Sequence, residues 1–357
     1  MKKILLTGAG GAATTNFVRS LRLASERFFL VGVDCDKYSL QRAETDKKHL
    51  IPTCSDSDYI PCLNDIIKEY DIHLLFAQPD VEIAVISSER KNVETRVFLP
   101  GDDIIKICQD KVSSYQKWRN AGIKVPQTML IRNEGDLQKA WSELQQKNGK
   151  IWIREISGAF GKGSLPATNY DMAKKWIDFK DGWGKYSAAE CLEEQSVTWQ
   201  SLWKNGELVV AQGRKRLYWE FANRSPSGVT GLTGTGITYS DATLDEIALK
   251  SILTIDSQPH GIYSVDLTYD LEKVPNPTEI NIGRFFTTHY FFSKAGLNMP
   301  YLYVKLALGE ETILPLKKMN PLPDNLAWIR GMDVEPKLTT LDEINKYEWE
   351  LYERRKR

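Results

Sequence analysis

Three side chains indicate what chemistry to look for. Glu279 and Asn281 lie two apart in the run Thr278-Glu279-Ile280-Asn281-Ile282, and Asp266 ends the upstream run Gly261-Ile262-Tyr263-Ser264-Val265-Asp266. Both runs have strand composition, so Glu279 and Asn281 leave the same face of theirs. The polar connection from Tyr269 to Pro277 lets the two runs pair antiparallel, which would bring two carboxylates and an amide oxygen to one spot. Oxygen-only ligands of this kind suit Mg²⁺, which keeps waters and substrate phosphates in its shell. Arg284, just past the second run, can supply fixed positive charge to the same phosphates. The same residues also suit a solvated sheet edge, and spacing alone does not decide between the two.

Further polar groups lie upstream. Ile151-Trp152-Ile153-Arg154 reads as a strand running into Ser157-Gly158-Ala159-Phe160-Gly161-Lys162-Gly163-Ser164. Glycines at these positions let backbone N–H groups converge on an anion with no Cβ in the way. The spacing is not that of a Walker A loop, and an ordinary glycine-rich turn reads the same. Asn205-Gly206 is a strong hairpin signal within the strand-like stretch from Ser196 to Tyr218. On its return strand Arg214 and Arg216 share one face and Lys215 takes the other. They form either a solvated basic edge or a place where one of the three binds a carboxylate or phosphate. Ser225 to Gly236 reads as a long polar loop.

The elements that must hold these groups are legible around them. Lys3 to Thr7 is a buried-strand run, followed by Gly8-Ala9-Gly10-Gly11-Ala12-Ala13 and a helix through Leu21. Strands from Phe28 to Val33 and Ile72 to Ala77, with a helix from Val81 to Glu89, continue a doubly wound sheet. Gly8-x-Gly10-x-x-Ala13 with Asp34 about 20 residues on also matches a dinucleotide fingerprint, which keeps an NAD(P)-dependent oxidoreductase as the rival reading. Asp110-Lys111 precedes a helix that Ser113 or Ser114 can cap, closed by Gly122 and Pro126. Leu137, Ala140, Trp141 and Leu144 have helical spacing. Met172, Trp176 and Phe179 form an apolar stripe on the next helix, expected to be core. A strand from Ser187 to Leu192, helices from Leu244 to Leu253 and Tyr301 to Leu308, and a strand from Leu326 to Met332 complete the pattern. Glu348 to Arg357 is a charged tail.

In bulk, 357 residues suffice for two or three compact units. Acidic and basic residues balance at 47 each, which leaves no net field to recruit nucleic acid or an anionic membrane. The opening apolar run stops at Thr7-Gly8, too short for a signal-peptide core, and no segment approaches transmembrane length. Five scattered cysteines without a Cys-x-x-Cys pair argue for reduced thiols, so a cytoplasmic protein is expected.

Taken in order, Asp110-Lys111, Arg154 before a glycine loop, Glu190-Cys191-Leu192, Asp266 and Glu279-x-Asn281 resemble the ATP-grasp superfamily of carboxylate–amine ligases, closest to its carbamoyl-phosphate-synthetase-like branch. The resemblance implies an α/β protein with three parts. Residues 1–108 would be a doubly wound N-terminal domain, 109–190 a small α+β lid, and 191–357 a larger antiparallel-sheet α+β core with a C-terminal extension.

The resemblance further implies ATP and Mg²⁺, one or two ions, with Mn²⁺ an acceptable substitute. Lys111 and Arg154 would hold phosphates, Arg154 and Arg284 would stabilise the transferring phosphoryl group, and Ser157, Gly158, Gly161, Lys162 and Gly163 would close over it. Glu190, Cys191 and Leu192 would meet adenine, while Ser196 stands where the family has a ribose-binding Glu. Arg214 is a further candidate for nucleotide contact, and Asp266, Glu279 and Asn281 would hold metal. Glu279-Ile280-Asn281-Ile282-Gly283-Arg284 is one residue longer than the usual Glu-x-Asn-Pro-Arg, and Asp266 stands where Glu is common. The expected partners are a small-molecule carboxylate and an amine, without nucleic acid or membrane. A homodimer is compatible with this, and a non-catalytic nucleotide binder remains a second alternative.

Overall fold

The computed structural model describes residues 1–145, 149–157, 163–193, 195–229, 232–331 and 337–342. Its first sheet is parallel, in the order β3-β2-β1-β4-β5: β1 (Lys2–Leu6), β2 (Phe28–Asp34), β3 (Lys47–Leu50), β4 (Leu74–Phe76) and β5 (Arg96–Val97). Helices α1 (Ala12–Arg22), α2 (Lys37–Gln41), α3 (Tyr59–Tyr70), α4 (Asp80–Ser88) and α5 (Asp102–Gln109) accompany it. The strand order reverses between β1 and β4, which places the ends of those strands at a topological switch point.

The second sheet is small and antiparallel, in the order β6-β9-β7-β8: β6 (Thr128–Ile131), β7 (Ile151–Glu155), β8 (Leu165–Ala167) and β9 (Tyr186–Glu190). Helices α7 (Glu134–Leu144) and α8 (Tyr170–Phe179) cover it, and α6 (Lys111–Asn120) leads into it. Asp110 caps α6, accepting from the Val112 and Ser113 N–H groups at 2.9 and 3.1 Å, so the cap falls to Asp110 and not to the expected serines. On α8 the inward residues are Ala173 and Ile177, while Met172 is 36% and Phe179 76% exposed. Of the expected core stripe, Met172 and Phe179 therefore face outward and only Trp176, half-buried, packs against the core.

The third sheet is antiparallel, in the order β14-β13-β10-β11-β12-β15-β16. It comprises β10 (Ser196–Lys204), β11 (Glu207–Trp219), β12 (Thr233–Thr238), β13 (Gly261–Tyr269), β14 (Pro275–Ile282), β15 (Leu326–Ile329) and β16 (Lys337–Thr340). Helices α9 (Ala242–Ile255), α10 (Tyr290–Lys294) and α11 (Met299–Leu308) pack on it. Asn205 and Gly206, at φ +52° and +84°, make the turn between β10 and β11. β12 occupies part of the expected polar loop. Its Gly236 leaves room for the Arg214 side chain, since a Cβ there would lie 3.0 Å from Arg214 Cδ. The last read strand ends at Ile329, and the charged tail lies outside the described residues.

Two continuous cores join the first and third sheets. Val197, Trp199, Val265 and Ile280 pack in one with Leu5, Val31 and Leu75. Leu202, Val210 and Ile262 pack in the other with Phe17, Phe76, Phe285 and Tyr303. The second sheet has a core of its own around Ile131, Leu144, Ile153 and Ile177. An element that shares no core with its neighbours is the one best able to move against them. No helix among the described residues is long and apolar enough to cross a membrane.

Candidate active site

One row of side chains crosses four strands of the third sheet. Glu279 on β14 pairs with Asp266 on β13, Asp266 with Thr198 on β10, and Thr198 with Arg214 on β11. Asn281, two residues along β14, leaves the same face and donates through Nδ2 to Asp266 Oδ2 at 2.9 Å. Thr198 donates its hydroxyl to the other oxygen, Asp266 Oδ1. The three oxygen-bearing residues of the sequence reading thus share one face.

Cations surround this row from three directions. Lys111, at the start of α6, lies 3.6 Å from Glu279 Oε2. It is held there because Trp118, further along α6, anchors the helix to α9 by donating Nε1–H to the Ser251 carbonyl at 2.9 Å. Arg154, at the end of β7, reaches from the second sheet to within 3.5 Å of the Thr278 carbonyl, and its shielded Nε has no partner. Arg284 bonds Asn281 Oδ1 and Asp80 Oδ1. Gly283 makes that possible: at φ +73° it turns the chain back after β14 and absorbs the extra residue before Arg284.

The two carboxylates are pushed apart electrostatically. Burial works to raise the Glu279 carboxyl, but Lys111, then Arg154 and Arg284, outweigh it and hold it below its ordinary value. Burial and the charge of Glu279 push Asp266 up, opposed by Arg216. Like charges facing each other across one strand pair call for a cation between them. Two carboxylates and an amide fit Mg²⁺, which is commonly held by one or two carboxylates together with substrate phosphates. Among the described residues no cluster of three or more His, Cys, Asp and Glu offers a dedicated all-protein metal cage.

Other candidates are placed as follows. Ser157 is exposed just past β7, and Gly158, Gly161 and Lys162 lie outside the described residues. Gly163, at φ +76°, is anchored in the second sheet by Trp176 Nε1, which donates to its carbonyl at 2.8 Å. Glu190 ends β9 and accepts the Gln127 N–H through Oε2 at 3.1 Å. Cys191, buried, and Leu192, half-buried, follow it beyond the strand, in the connection between the second and third sheets. Ser196 accepts from Arg216. Arg214 is buried in the sheet and not on a solvated edge, whereas Lys215 projects from the opposite face over the Tyr239 ring.

Four further contributors surround the row: Arg216, which the sequence reading left as one of three basic candidates, and Thr198, Asp80 and Gln78, which it missed. Arg216 donates to Ser196 and Thr233 and stacks 3.5 Å from the Trp219 ring, with burial lowering its guanidinium to about 10. Thr198 links Arg214 to Asp266. Asp80 fixes Arg284, and Gln78 donates to the Phe285 carbonyl at 2.9 Å. Only Arg216 carried a signal, through its shared face with Arg214.

At the first glycine turn, Gly10 N–H donates to Asp34 Oδ2 at 3.0 Å. A Cβ at Gly10 would fall 1.8 Å from the Ser39 carbonyl oxygen, and one at Gly8 would fall 2.6 Å from Pro79 Cγ. Those glycines admit the chain's own backbone and Pro79, which explains them without a dinucleotide.

Residues 4–98 match the family described as PylC-like, N-terminal domain. No curated protein sequence matches the chain. Among solved structures, N5-carboxyaminoimidazole synthetase from Staphylococcus aureus complexed with ADP aligns over 93% of this chain and 82% of its own, at TM-score 0.70 and 14% identity. The biotin carboxylase domain dimer of Hydrogenobacter thermophilus 2-oxoglutarate carboxylase, in complex with MgADP, ADP and bicarbonate, aligns over 92% and 74%, at TM-score 0.69 and 14% identity. L-amino acid ligase from Bacillus licheniformis aligns over 97% and 85%, at TM-score 0.65 and 10% identity. The chain therefore shares the ATP-grasp fold of those structures, and its match to the PylC-like model is confined to residues 4–98.

Proposed function

We propose that the protein is an ATP- and Mg²⁺-dependent ligase that activates a small-molecule carboxylate and couples it to an amine. The observation that carries this reading is the Asp266–Glu279–Asn281 cluster, ringed by Lys111, Arg154 and Arg284, on a face that meets the independently cored second sheet. Solved proteins of the same fold hold ADP and MgADP.

Phosphoryl transfer asks a protein mainly for position and counter-charge. Lys111 and Arg154 would take the ATP phosphates, with Arg154 Nε supplying a donor that now has no partner. Asp266, Glu279 and Asn281 would hold Mg²⁺, which when bound neutralises charge on the β- and γ-phosphate oxygens. A carboxylate oxygen of the substrate attacks the γ-phosphorus, ADP leaves, and an acyl phosphate results. The amine nitrogen then attacks the acyl carbon, phosphate leaves, and the nitrogen gives up a proton to form the amide. Arg284, fixed by Asp80, would offset charge on the transferring group. Closure of the second sheet would keep water from the acyl phosphate until the amine arrives.

The test is ADP release by the full chain with MgATP and the L-amino acids supplied in pairs as carboxylate and amine, with mass spectrometry of the products. Release should depend on an added carboxylate and fall roughly a thousandfold in Glu279→Gln. Near-normal turnover in that variant would remove the metal assignment. Nucleotide binding with no carboxylate-dependent release across wider carboxylate pools would instead favour a binding protein.

A further inference from the structure

Arg214 is 2% exposed, and no carboxylate among the described residues is bonded to it. Its partners are three threonine hydroxyls: Nη2 donates to Thr198 Oγ1 at 2.6 Å, and Nη1 donates to Thr233 Oγ1 at 2.9 Å and to Thr288 Oγ1 at 3.1 Å. The ring of Phe286 lies 4.5 Å from the guanidinium carbon, and Nε has no partner. A buried cation without a bonded counter-ion is costly unless an anion arrives.

The hydrogen-bond inventory around it is unbalanced in one direction. Thr233 Oγ1 accepts from both Arg214 and Arg216, and Thr288 Oγ1 accepts from Arg214, yet among the described residues neither hydroxyl has an acceptor for its own proton. With Arg214 Nε–H, that leaves at least three donors facing no acceptor. A group that only accepts, through two oxygens, would satisfy the Thr233 and Thr288 hydroxyls, which both lie at Nη1, and a carboxylate is such a group. Nearby on the same face is Gln200, two residues along β10 from Thr198. It is completely buried, and both of its amide atoms lack partners.

Position separates this spot from the triphosphate side. Lys111 and Arg154 gather at the Glu279 end of the row, whereas Arg214 lies beyond Asp266, two strands away. It sits against the segment from Arg284 to His289, which Asn16 and Gln78 of the first unit hold by its carbonyls. Thr198 bridges Arg214 to Asp266, so an anion at Arg214 is one hydroxyl away from the proposed metal site.

We infer that Arg214, with the hydroxyls of Thr233 and Thr288, is the subsite that binds and orients the carboxylate of the substrate, and that Gln200 reads a polar group next to that carboxylate. This rests on the ligase reading. It moves Arg214 from the nucleotide contact for which it was a candidate to the substrate. It also narrows the substrate class to carboxylic acids carrying a hydrogen-bonding group, such as an amino or hydroxyl, close to the carboxyl.

The test uses the full chain, with Arg214→Met and Arg214→Lys. Thermal unfolding is followed in sodium acetate against sodium chloride at equal ionic strength, and separately with MgADP. Acetate should raise the melting temperature of the wild type, less so of Arg214→Lys, and not of Arg214→Met, while MgADP stabilises all three. In the ADP-release assay Arg214→Met should raise KM for the active carboxylate about 10- to 100-fold with KM for ATP within about twofold. Acetate stabilisation that is absent in the wild type, or equal in Arg214→Met, overturns the subsite. So does a parallel rise in both KM values, which is what a merely structural arginine would give. If Arg214→Met does not fold, Arg214→Lys carries the same comparisons. Absence of any MgADP effect in the wild type sinks the ligase reading instead, and leaves the acetate result to stand or fall separately.

Discussion

Glu82 holds its proton against the solvent. Its side chain is buried on α4 beneath the first glycine turn, one oxygen lacks a partner, and burial together with the nearby Asp34 charge pushes the carboxyl up to about 7. A folded-state value above the unfolded 4.5 means the native protein binds that proton more tightly. The associated stability is complete below 4.5 and is lost as pH rises through 7. In urea melts against pH, wild type should therefore lose about 3 kcal/mol relative to Glu82→Gln across that window. Parallel curves for the two proteins would show that Glu82 ionises normally. At this scale the legible residues were those whose environment is local. Glu279 and Asn281 share a face by alternation alone, whereas the burial of Glu82 depends on elements far apart in sequence. The same holds for Arg214, which the chain can place on an edge or in a sheet with equal ease until its neighbours are known.

At the scale of elements, register explains most of what remained hidden. The hairpin turn fixes Lys204 opposite Glu207, and simple continuation would place Thr198 opposite Gly213. A bulge at Leu202/Trp203 shifts the pairing by one, so Thr198 faces Arg214 instead. That single irregularity puts Arg214 in the same row as Asp266, and nothing in the local sequence announces it. A second shift, after Asp266 in the pairing of β13 with β14, is equally silent. The glycines of β12 misled in a different way, because they mark close approach by neighbouring side chains and not loop geometry. The first glycine turn can be tested on the same logic. If Gly10 exists to admit the Ser39 backbone, Gly10→Ala should destabilise the ligand-free protein by about 3 kcal/mol, read as a lower urea midpoint. A variant of full stability that had lost affinity for NAD(P) would return that turn to dinucleotide binding.

Across the whole molecule, the site is built at a junction and not within one unit. Arg284 follows the last strand of the pair proposed to hold metal, yet it is aimed by Asp80, at the start of α4 in the first unit. Phe285 and Thr287 are held by Gln78 and Asn16 through their carbonyls, so the first unit grips the segment that carries Arg284 at several points. The two cores shared by the first and third sheets make that grip rigid, while the second sheet, which brings Arg154, keeps a separate core. Nucleotide affinity and catalytic aim should therefore be separable. Asp80→Asn removes the counter-charge on Arg284 without touching Lys111, Arg154 or the Asp266–Glu279 pair. It should lower kcat for carboxylate-dependent ADP release about tenfold, with MgADP affinity within about twofold of wild type. An equal loss in both would mean that the first unit supports the nucleotide site as a whole. An unchanged kcat would mean that Arg284 keeps its aim through Asn281 alone.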